Sequence, residues 1–136
     1  MIGVQTIGNA TVVAYDKNPI LSTDPWLGQD HYAYFGSWYL PYAIPEKIHQ
    51  DILSSKYIFF SHGHPDHLNP DSLHKFKSNT IILGDHVGKR MFNDLKSQGF
   101  NVKILKERVW NELSKNIAVM PVSTKIQDTI LIIRIK

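Results

Sequence analysis

The segment from residue 62 to residue 67 constrains the fold more than any other part of this chain. It has the sequence His-Gly-His-Pro-Asp-His and directly follows the apolar run Tyr57-Ile58-Phe59-Phe60. The apolar run predicts a buried β-strand, and glycine and proline make the following segment a loop. Three imidazoles and one carboxylate are therefore expected where a buried strand ends, and these groups are suitable ligands for a divalent metal ion.

The spacing within this loop, residues 62–67, favours two neighbouring metal positions. His62 and His64 are two residues apart, so an extended backbone would direct both side chains to one side. Pro65 fixes a turn, after which Asp66 and His67 can reach a second position. An isolated histidine is more often a surface or hydrogen-bonded residue than a ligand. That interpretation is favoured for the four histidines outside the loop, which are His31, His49, His74 and His86.

Composition sets the class of protein. With 136 residues, 43% hydrophobic and 20% charged, the chain is the size of one globular domain, residues 1–136. It has no cysteine, so any metal must be held by histidine and carboxylate. The net charge of +3 comes from scattered lysines and arginines, which favours a small-molecule substrate over nucleic acid. No apolar run has the length of a membrane span and no signal sequence is visible, so we expect a cytoplasmic protein.

Hydrophobic patterning predicts alternating strands and helices. Strands are expected at 2–7, 10–15 and 19–22 as a β-meander, then at 57–61, 80–83, 102–105, 117–120 and 129–135. Helices are expected at 45–54, after Asn69-Pro70, and between a cap at Asp85 and a stop at Gly99. This order predicts an α/β fold, a mixed sheet with flanking helices whose strand-end loops carry the site. The aromatic segment from His31 to Tyr42 is either a substrate wall or an ordinary hydrophobic cover.

These motifs resemble a known family. Ser61-His62-Gly63-His64-Pro65-Asp66-His67-Leu68 resembles the signature loop of the metallo-β-lactamase superfamily. Gly8-Asn9-Ala10-Thr11 and Thr23-Asp24-Pro25-Trp26-Leu27 resemble its opening strands. The chain is most similar to one branch, which contains ascorbate-6-phosphate lactonase, N-acyl phosphatidylethanolamine phospholipase D and the metallo-β-lactamase-like part of CMP-N-acetylneuraminate hydroxylase. Three segments most resemble the last of these, namely Gly36-Ser37-Trp38-Tyr39, Asp66-His67-Leu68 and Gln127-Asp128-Thr129-Ile130.

The resemblance implies an αββα sandwich with a metal centre. His62 and His64 would bind a first ion, and Asp66 with His67 would bind a second, with a metal-activated water as nucleophile. Zinc is the expected metal, with manganese or iron as alternatives, and one or two ions are expected. Asp66 is also the expected catalytic residue, because it could hold the nucleophilic water. Asp24 would orient a ligand histidine or steady the loop, unless it is only a turn residue before proline.

The chain also departs from the family. A complete site needs later histidines and a bridging aspartate, but no histidine follows His86, and residues 121–127 supply no ligand. Asp128 is expected in a cap or turn more than as a ligand. The superfamily domain has two similar αβ halves, so this chain resembles a domain truncated after its N-terminal half. Such a half would leave an apolar sheet face, and we expect self-association or a complementary half-domain to cover it.

Two functions remain open at this stage. The first is a metal-dependent hydrolase, or the metal-binding half of one, acting on a phosphoester, lactone or amide once further ligands complete the site. The second is a non-catalytic module with the metallo-β-lactamase fold that acts in assembly or ligand binding. Oxygenase activity through a Rieske centre, as in the hydroxylase of this branch, is disfavoured because the chain has no cysteine for an iron–sulfur cluster.

Overall fold

A computed structural model describes residues 1–136 of the chain. Its strands are β1 (Ile2–Gly8), β2 (Thr11–Asp16), β3 (Asn18–Thr23), β4 (Tyr57–Phe59), β5 (Thr80–Leu83), β6 (Asn101–Ile104), β7 (Asn111–Glu112), β8 (Ile117–Ser123) and β9 (Thr129–Ile135). Its α-helices are α1 (Glu46–Ser54), α2 (Pro70–Leu73) and α3 (Arg90–Ser97). Short 3-10 turns occupy Tyr34–Gly36, His74–Phe76 and Val87–Lys89.

Six strands form the first sheet in the order β1 to β6. The first three pair in antiparallel fashion, which confirms the predicted β-meander, and β3 to β6 pair in parallel. The parallel strands end at the same edge of the sheet. The segments that carry Asp24, His62 and His86 follow β3, β4 and β5 at that edge. Topology therefore assembles the candidate site from three separate parts of the chain.

The first sheet is packed on both faces. Alternation along the β4 segment points Ile58 and Phe60 into one hydrophobic cluster and Phe59 into another. The first cluster includes Ile52 of α1 and Leu95 of α3, so the helices cover that face. The second cluster contains Leu113, Ile117 and Val119, so the three-stranded sheet of β7, β8 and β9 covers the opposite face. The order of layers is helices, six-stranded sheet, three-stranded sheet.

The second sheet meets the first closely beside the site. A side chain on Gly84, just after β5, would overlap the hydroxyls of Ser123 and Thr129, so only glycine fits there. The amide of Thr129 donates to the carbonyl of Ser61 at 3.0 Å. The beginning of β9 is thereby attached to the residue that precedes the histidine loop.

An apolar face without a covering layer lies on the second sheet. The sequence predicts that a half-domain leaves one sheet face apolar and that segments such as 117–120 and 129–135 contribute that surface. The outer face of β9 lies in this part of the chain, and there Ile130 is 61% exposed and Ile132 is 41% exposed. The reason is that β9 alternates, with Leu131 and Ile133 packing inward against the core.

Helix starts show where local signals hold and where they fail. Asn69 caps α2 as predicted, since its side-chain oxygen accepts a hydrogen bond from the amide of Ser72. The predicted cap at Asp85 is wrong, because α3 begins only at Arg90. Gly88 and Lys89, the last two residues of the 3-10 turn, have positive φ values, and this left-handed backbone delays the start of the helix. The first helix begins one residue later than predicted, with Pro45 as its N-cap, and the two-residue strand β7 had no sequence signal.

Candidate metal centre

The histidine loop is a compact turn after β4. The amides of His67 and Leu68 both donate to the carbonyl of His64, which closes the turn around Pro65. Asn9, in the β1–β2 turn, donates from its side-chain amide to the carbonyl of Asp66 at 2.7 Å. The backbone of the loop is therefore held both by its own hydrogen bonds and by a distant part of the chain.

The first two histidines face one another. Nε2 of His62 lies 3.0 Å from Nδ1 of His64, and one of these nitrogens carries the proton that they share in the metal-free chain. Two nitrogen ligands of a tetrahedral zinc ion, each about 2.0–2.1 Å from the metal, lie about 3.3 Å apart. The pair therefore has the donor atoms and the separation that one ion requires.

The other two predicted ligands form a second pair. Nε2 of His67 lies 3.5 Å from Oδ2 of Asp66. The other oxygen of this carboxylate, Oδ1, accepts a hydrogen bond of 2.8 Å from the hydroxyl of Tyr34. That contact fixes the carboxylate plane and leaves Oδ2 directed to the imidazole. The bond to Asp66 also raises the pKa of the Tyr34 hydroxyl.

Asp24 and Ser61 make hydrogen bonds to one histidine of each pair. The buried carboxylate of Asp24 accepts from the Ser61 amide at 2.8 Å through Oδ1 and from the Ser61 hydroxyl at 2.7 Å through Oδ2. Its Oδ2 also lies 2.9 Å from Nδ1 of His67, and the Ser61 hydroxyl lies 2.9 Å from Nδ1 of His62. Because the Nδ1 atoms are used in this way, Nε2 of each imidazole is available as a ligand. The prediction that Asp24 orients a loop histidine is confirmed as a contact.

Protonation follows from these contacts. Burial lowers the pKa of His62, and the charge on His67 lowers it further, so His62 is neutral near pH 7. The hydrogen bond to Asp24 raises the pKa of His67. A histidine binds metal only in its neutral form, so protons compete with a metal ion at His67 up to a higher pH than at His62.

The four predicted ligands therefore stand as two pairs. Within each pair the donor types and spacing fit a divalent metal, but no cluster of three or more histidine, aspartate or glutamate side chains is arranged as a metal site. Enzyme zinc sites use three protein ligands. Each pair would need at least one more ligand, and the metal-binding role of His62, His64, Asp66 and His67 stays a prediction.

Further side chains at the site had weaker sequence signals. No pattern in the sequence singled out Ser61 or Tyr34, apart from their positions next to the histidine loop and within an aromatic run. In the aromatic segment, Leu40 is buried in a small cluster with Trp26, as the hydrophobic-cover interpretation predicts, and Tyr34 reaches Asp66. The substrate-wall interpretation stays a prediction.

Residues from the second sheet also approach the loop. Asp128 lies in the β8–β9 turn as predicted, with its carboxylate accepting from the amide of Thr129, and its Oδ1 is 3.4 Å from Nδ1 of His62. His86 is buried, its Nε2 lies 2.6 Å from the hydroxyl of Thr129, and burial lowers its pKa. Among the isolated histidines, His31 and His86 are thus hydrogen-bonded residues, as predicted.

Comparison with known proteins bears on the fold. No protein-family model matches the chain. No curated protein matches it. Its structure is similar to an isothiocyanate hydrolase from Delia radicum gut bacteria, with a TM-score of 0.64 and 23% identity over 87% of this chain and 46% of that one. It is also similar to a metallo hydrolase from the archaeon Ignicoccus hospitalis, with a TM-score of 0.63 and 16% identity over 97% of this chain and 55% of that one.

These similarities show a shared fold, and the chain spans about half the length of each structure that it matches. The coverage agrees with the prediction of a half-domain, and the mixed sheet with flanking helices agrees with the predicted α/β class. None of the helices has the length and apolar character needed to cross a lipid bilayer. The chain has the fold of roughly half of each of these two structures.

Proposed function

We propose that this chain is the metal-binding half of a metal-dependent hydrolase that acts on a phosphoester, lactone or amide. The observation that carries the proposal is the pair of facing donor sets, His62 with His64 and Asp66 with His67, supported by Asp24. Ordinary surface histidines do not need a buried carboxylate to set their tautomer. The hydrolase and metallo-hydrolase descriptions of the two structural neighbours support the same reaction class.

The proposed roles follow the geometry. His62 and His64 would hold one divalent ion, and Asp66 with His67 would hold another. When bound, such ions lower the pKa of water and stabilise the negative charge that develops on the substrate. Asp66 is the proposed catalytic residue, since its Oδ2 can orient the attacking water and accept its proton while Tyr34 holds Oδ1. Zinc is the proposed metal because imidazole nitrogen and carboxylate oxygen are among its usual ligands.

Completion of the site requires ligands from outside this set of side chains. We propose that they come from a second copy of the chain or from a complementary half-domain. The exposed isoleucines on the outer face of β9 support this, because an apolar sheet face of this kind is usually covered. The resemblance to the lactonase, phospholipase D and hydroxylase branch supports the choice of bond types. Cytoplasmic location remains a prediction.

Metal binding tests the proposal directly. Zinc should bind the purified chain at close to one or two ions per chain, and the double variant His62→Ala/His64→Ala should lose at least one of them while remaining folded by circular dichroism. His74→Ala is the matched control, since His74 is exposed on the short helical segment after α2 and should bind as the native chain does. Retention of stoichiometric metal by the double variant would refute the assignment.

The second candidate function is a non-catalytic module. It is favoured by one observation, that each donor pair lacks a third ligand. The same measurement separates the two functions. Two tightly held ions favour the hydrolase, whereas no ion or one weakly held ion favours the module.

A further inference from the structure

A cavity of about 490 Å³ lies beside the histidine loop. This volume is within the range of small-molecule sites in proteins. We propose that the cavity binds uncharged molecules that carry an apolar arm, and that the substrates of this protein are therefore lactones or amides rather than ionised phosphoesters. The statement about substrates rests on the proposed hydrolase function, whereas the statement about binding does not.

The walls of the cavity come from three parts of the fold. His62, Gly63 and His64 form one wall, and residues 126–128 of the β8–β9 turn form another. The third wall comes from α2, α3 and the segments beside them. Leu68, Leu73, Met91 and Leu95 form its apolar part, which we call the apolar wall, and Arg90, Asp94 and Gln98 form its polar part. A ligand in this space would therefore contact imidazoles on one side and hydrocarbon on another.

The apolar wall is fixed by the core of the domain. Leu95 is 1% exposed and belongs to the main hydrophobic cluster, and Leu73 and Met91 pack against that cluster. Because these side chains are held by the core, the apolar wall of the cavity stays apolar. Burying a hydrocarbon arm against them removes apolar surface from water on both sides, at about 25 cal/mol for each Å².

The charges around the cavity do not favour an ionic ligand. Nε of Arg90 lies 3.7 Å from Oδ2 of Asp94, so this cation already has an anion beside it. Both side chains are mostly exposed, at 86% and 63%, so solvent screens them. On the opposite wall, the carboxylate of Asp128 is 45% exposed. None of the charged side chains in the lining is buried, so an ionic ligand would lose hydration in exchange for contacts that solvent screens.

The cavity is open to solvent beside Gly63. A Cβ atom added to this residue would meet no other atom within 4 Å, so the space next to it is empty. A molecule could therefore lie against His62 and His64 with its polar group while its apolar arm extends along Met91. This arrangement would place a neutral ester, lactone or amide next to the donor pair.

Two dyes with the same aromatic framework test the charge preference. N-phenyl-1-naphthylamine is uncharged, and 8-anilinonaphthalene-1-sulfonate adds one sulfonate to it. We expect fluorescence titration of the full chain, without added metal, to show at least tenfold tighter binding of the uncharged dye. Equal affinities, or tighter binding of the sulfonate, would overturn the proposal.

Cavity-filling variants test the location. Met91→Trp should weaken binding of the uncharged dye at least tenfold, because the indole would occupy the space along the apolar wall. Gly63→Phe provides a second variant outside the core, at a lining residue where an added Cβ meets no other atom, and should weaken binding similarly. Ile130→Trp is the control, since Ile130 is exposed on the outer face of the second sheet and should leave the affinity unchanged.

If both cavity variants bind the dye as the native chain does, the ligand lies elsewhere and the proposal is wrong. Because these titrations need neither metal nor turnover, their failure is distinct from failure of the hydrolase function. The reverse also holds, since a chain that binds no zinc could still bind the uncharged dye.

Discussion

Replacing Asp24 with asparagine should disable one metal position without unfolding the chain. Asparagine has the same shape and also tolerates the left-handed backbone found here, where φ is 39°. Oδ1 accepts from the backbone amide of Ser61, which cannot rotate, so the new carboxamide must keep its oxygen on that side. Its NH₂ group must then replace Oδ2, the atom that faces Nδ1 of His67 at 2.9 Å.

The consequence is a change of tautomer. In the native chain Nδ1 of His67 donates to Asp24 and leaves Nε2 with a lone pair directed to the Asp66 side. An asparagine NH₂ would require Nδ1 to accept, and the ring proton would move to Nε2. A protonated Nε2 cannot bind a metal ion. The Ser61 hydroxyl can rotate to accept from the amide, so the only fixed conflict falls on His67.

The magnitude follows from two effects. Changes to residues that orient metal-binding histidines typically cost 10-fold to 100-fold in metal affinity, or about 1.4 to 2.7 kcal/mol. In the metal-free fold a neutral hydrogen bond to His67 replaces one to a buried carboxylate, and this difference should lower the free energy of unfolding by about 1 to 1.5 kcal/mol. Zinc affinity is measured by competition with a chromophoric chelator, and stability is measured by urea denaturation.

The tautomer itself can be observed. At alkaline pH, where the ring is neutral, long-range ¹H–¹⁵N NMR spectra should place the proton of His67 on Nδ1 in the native chain and on Nε2 in Asp24→Asn. Asp51→Asn is a matched control, because Asp51 is a buried carboxylate remote from the loop, bonded to Tyr15 and Lys47. Native zinc affinity in Asp24→Asn, or an unchanged tautomer, would show that Asp24 does not act through His67.

Three further outcomes are expected. Tyr34→Phe should weaken zinc binding about tenfold by releasing Asp66, and Tyr39→Phe, at an exposed position in the same segment, should leave it unchanged. Burial and a nearby carboxylate raise the pKa of Tyr15 to about 12 in the folded chain, above its ordinary value of 10.0. Stability should therefore be complete below pH 10 and fall as pH rises towards 12, by up to about 1.4 kcal/mol per unit. Urea denaturation of Tyr15→Phe should lack this decline. If a second copy covers the second sheet, sedimentation should show a dimer that Ile130→Asp converts to a monomer; identical sedimentation of the two would exclude that face.

Much of the fold could be predicted from local patterns. The strands Thr80–Leu83 and Thr129–Ile135 have the predicted bounds, because runs of β-branched residues between turn signals identify strands well. The start of α3 was mispredicted since Asp85 precedes a turn that no pattern revealed. The two-residue strand Asn111–Glu112 was missed because it is too short to show a periodicity. The packing of the second sheet over the first was missed because strand patterns do not show which strands pair.

For the site, residue chemistry was predictable and contacts between distant residues were less so. The sequence suggested that Asp24 supports a loop histidine, and the structure places it against His67, 43 residues away. It offered no sign that Tyr34 would bind Asp66, 32 residues away. Hydrogen bonds of this kind depend on which strands become neighbours, and the order of side chains along the chain does not contain that information.

The amino-acid sequence by itself determined which donor groups this protein can present and that they follow a buried strand, because both depend on nearby residues. Only the tertiary structure decided how those groups are used. Parallel pairing of β3, β4 and β5 brings Asp24 beneath the histidines, and the second sheet places Asp128 beside His62. The physical reason is that imidazole tautomers and carboxylate orientation are set by contacts within about 3 Å, and here those contacts join residues far apart in the chain.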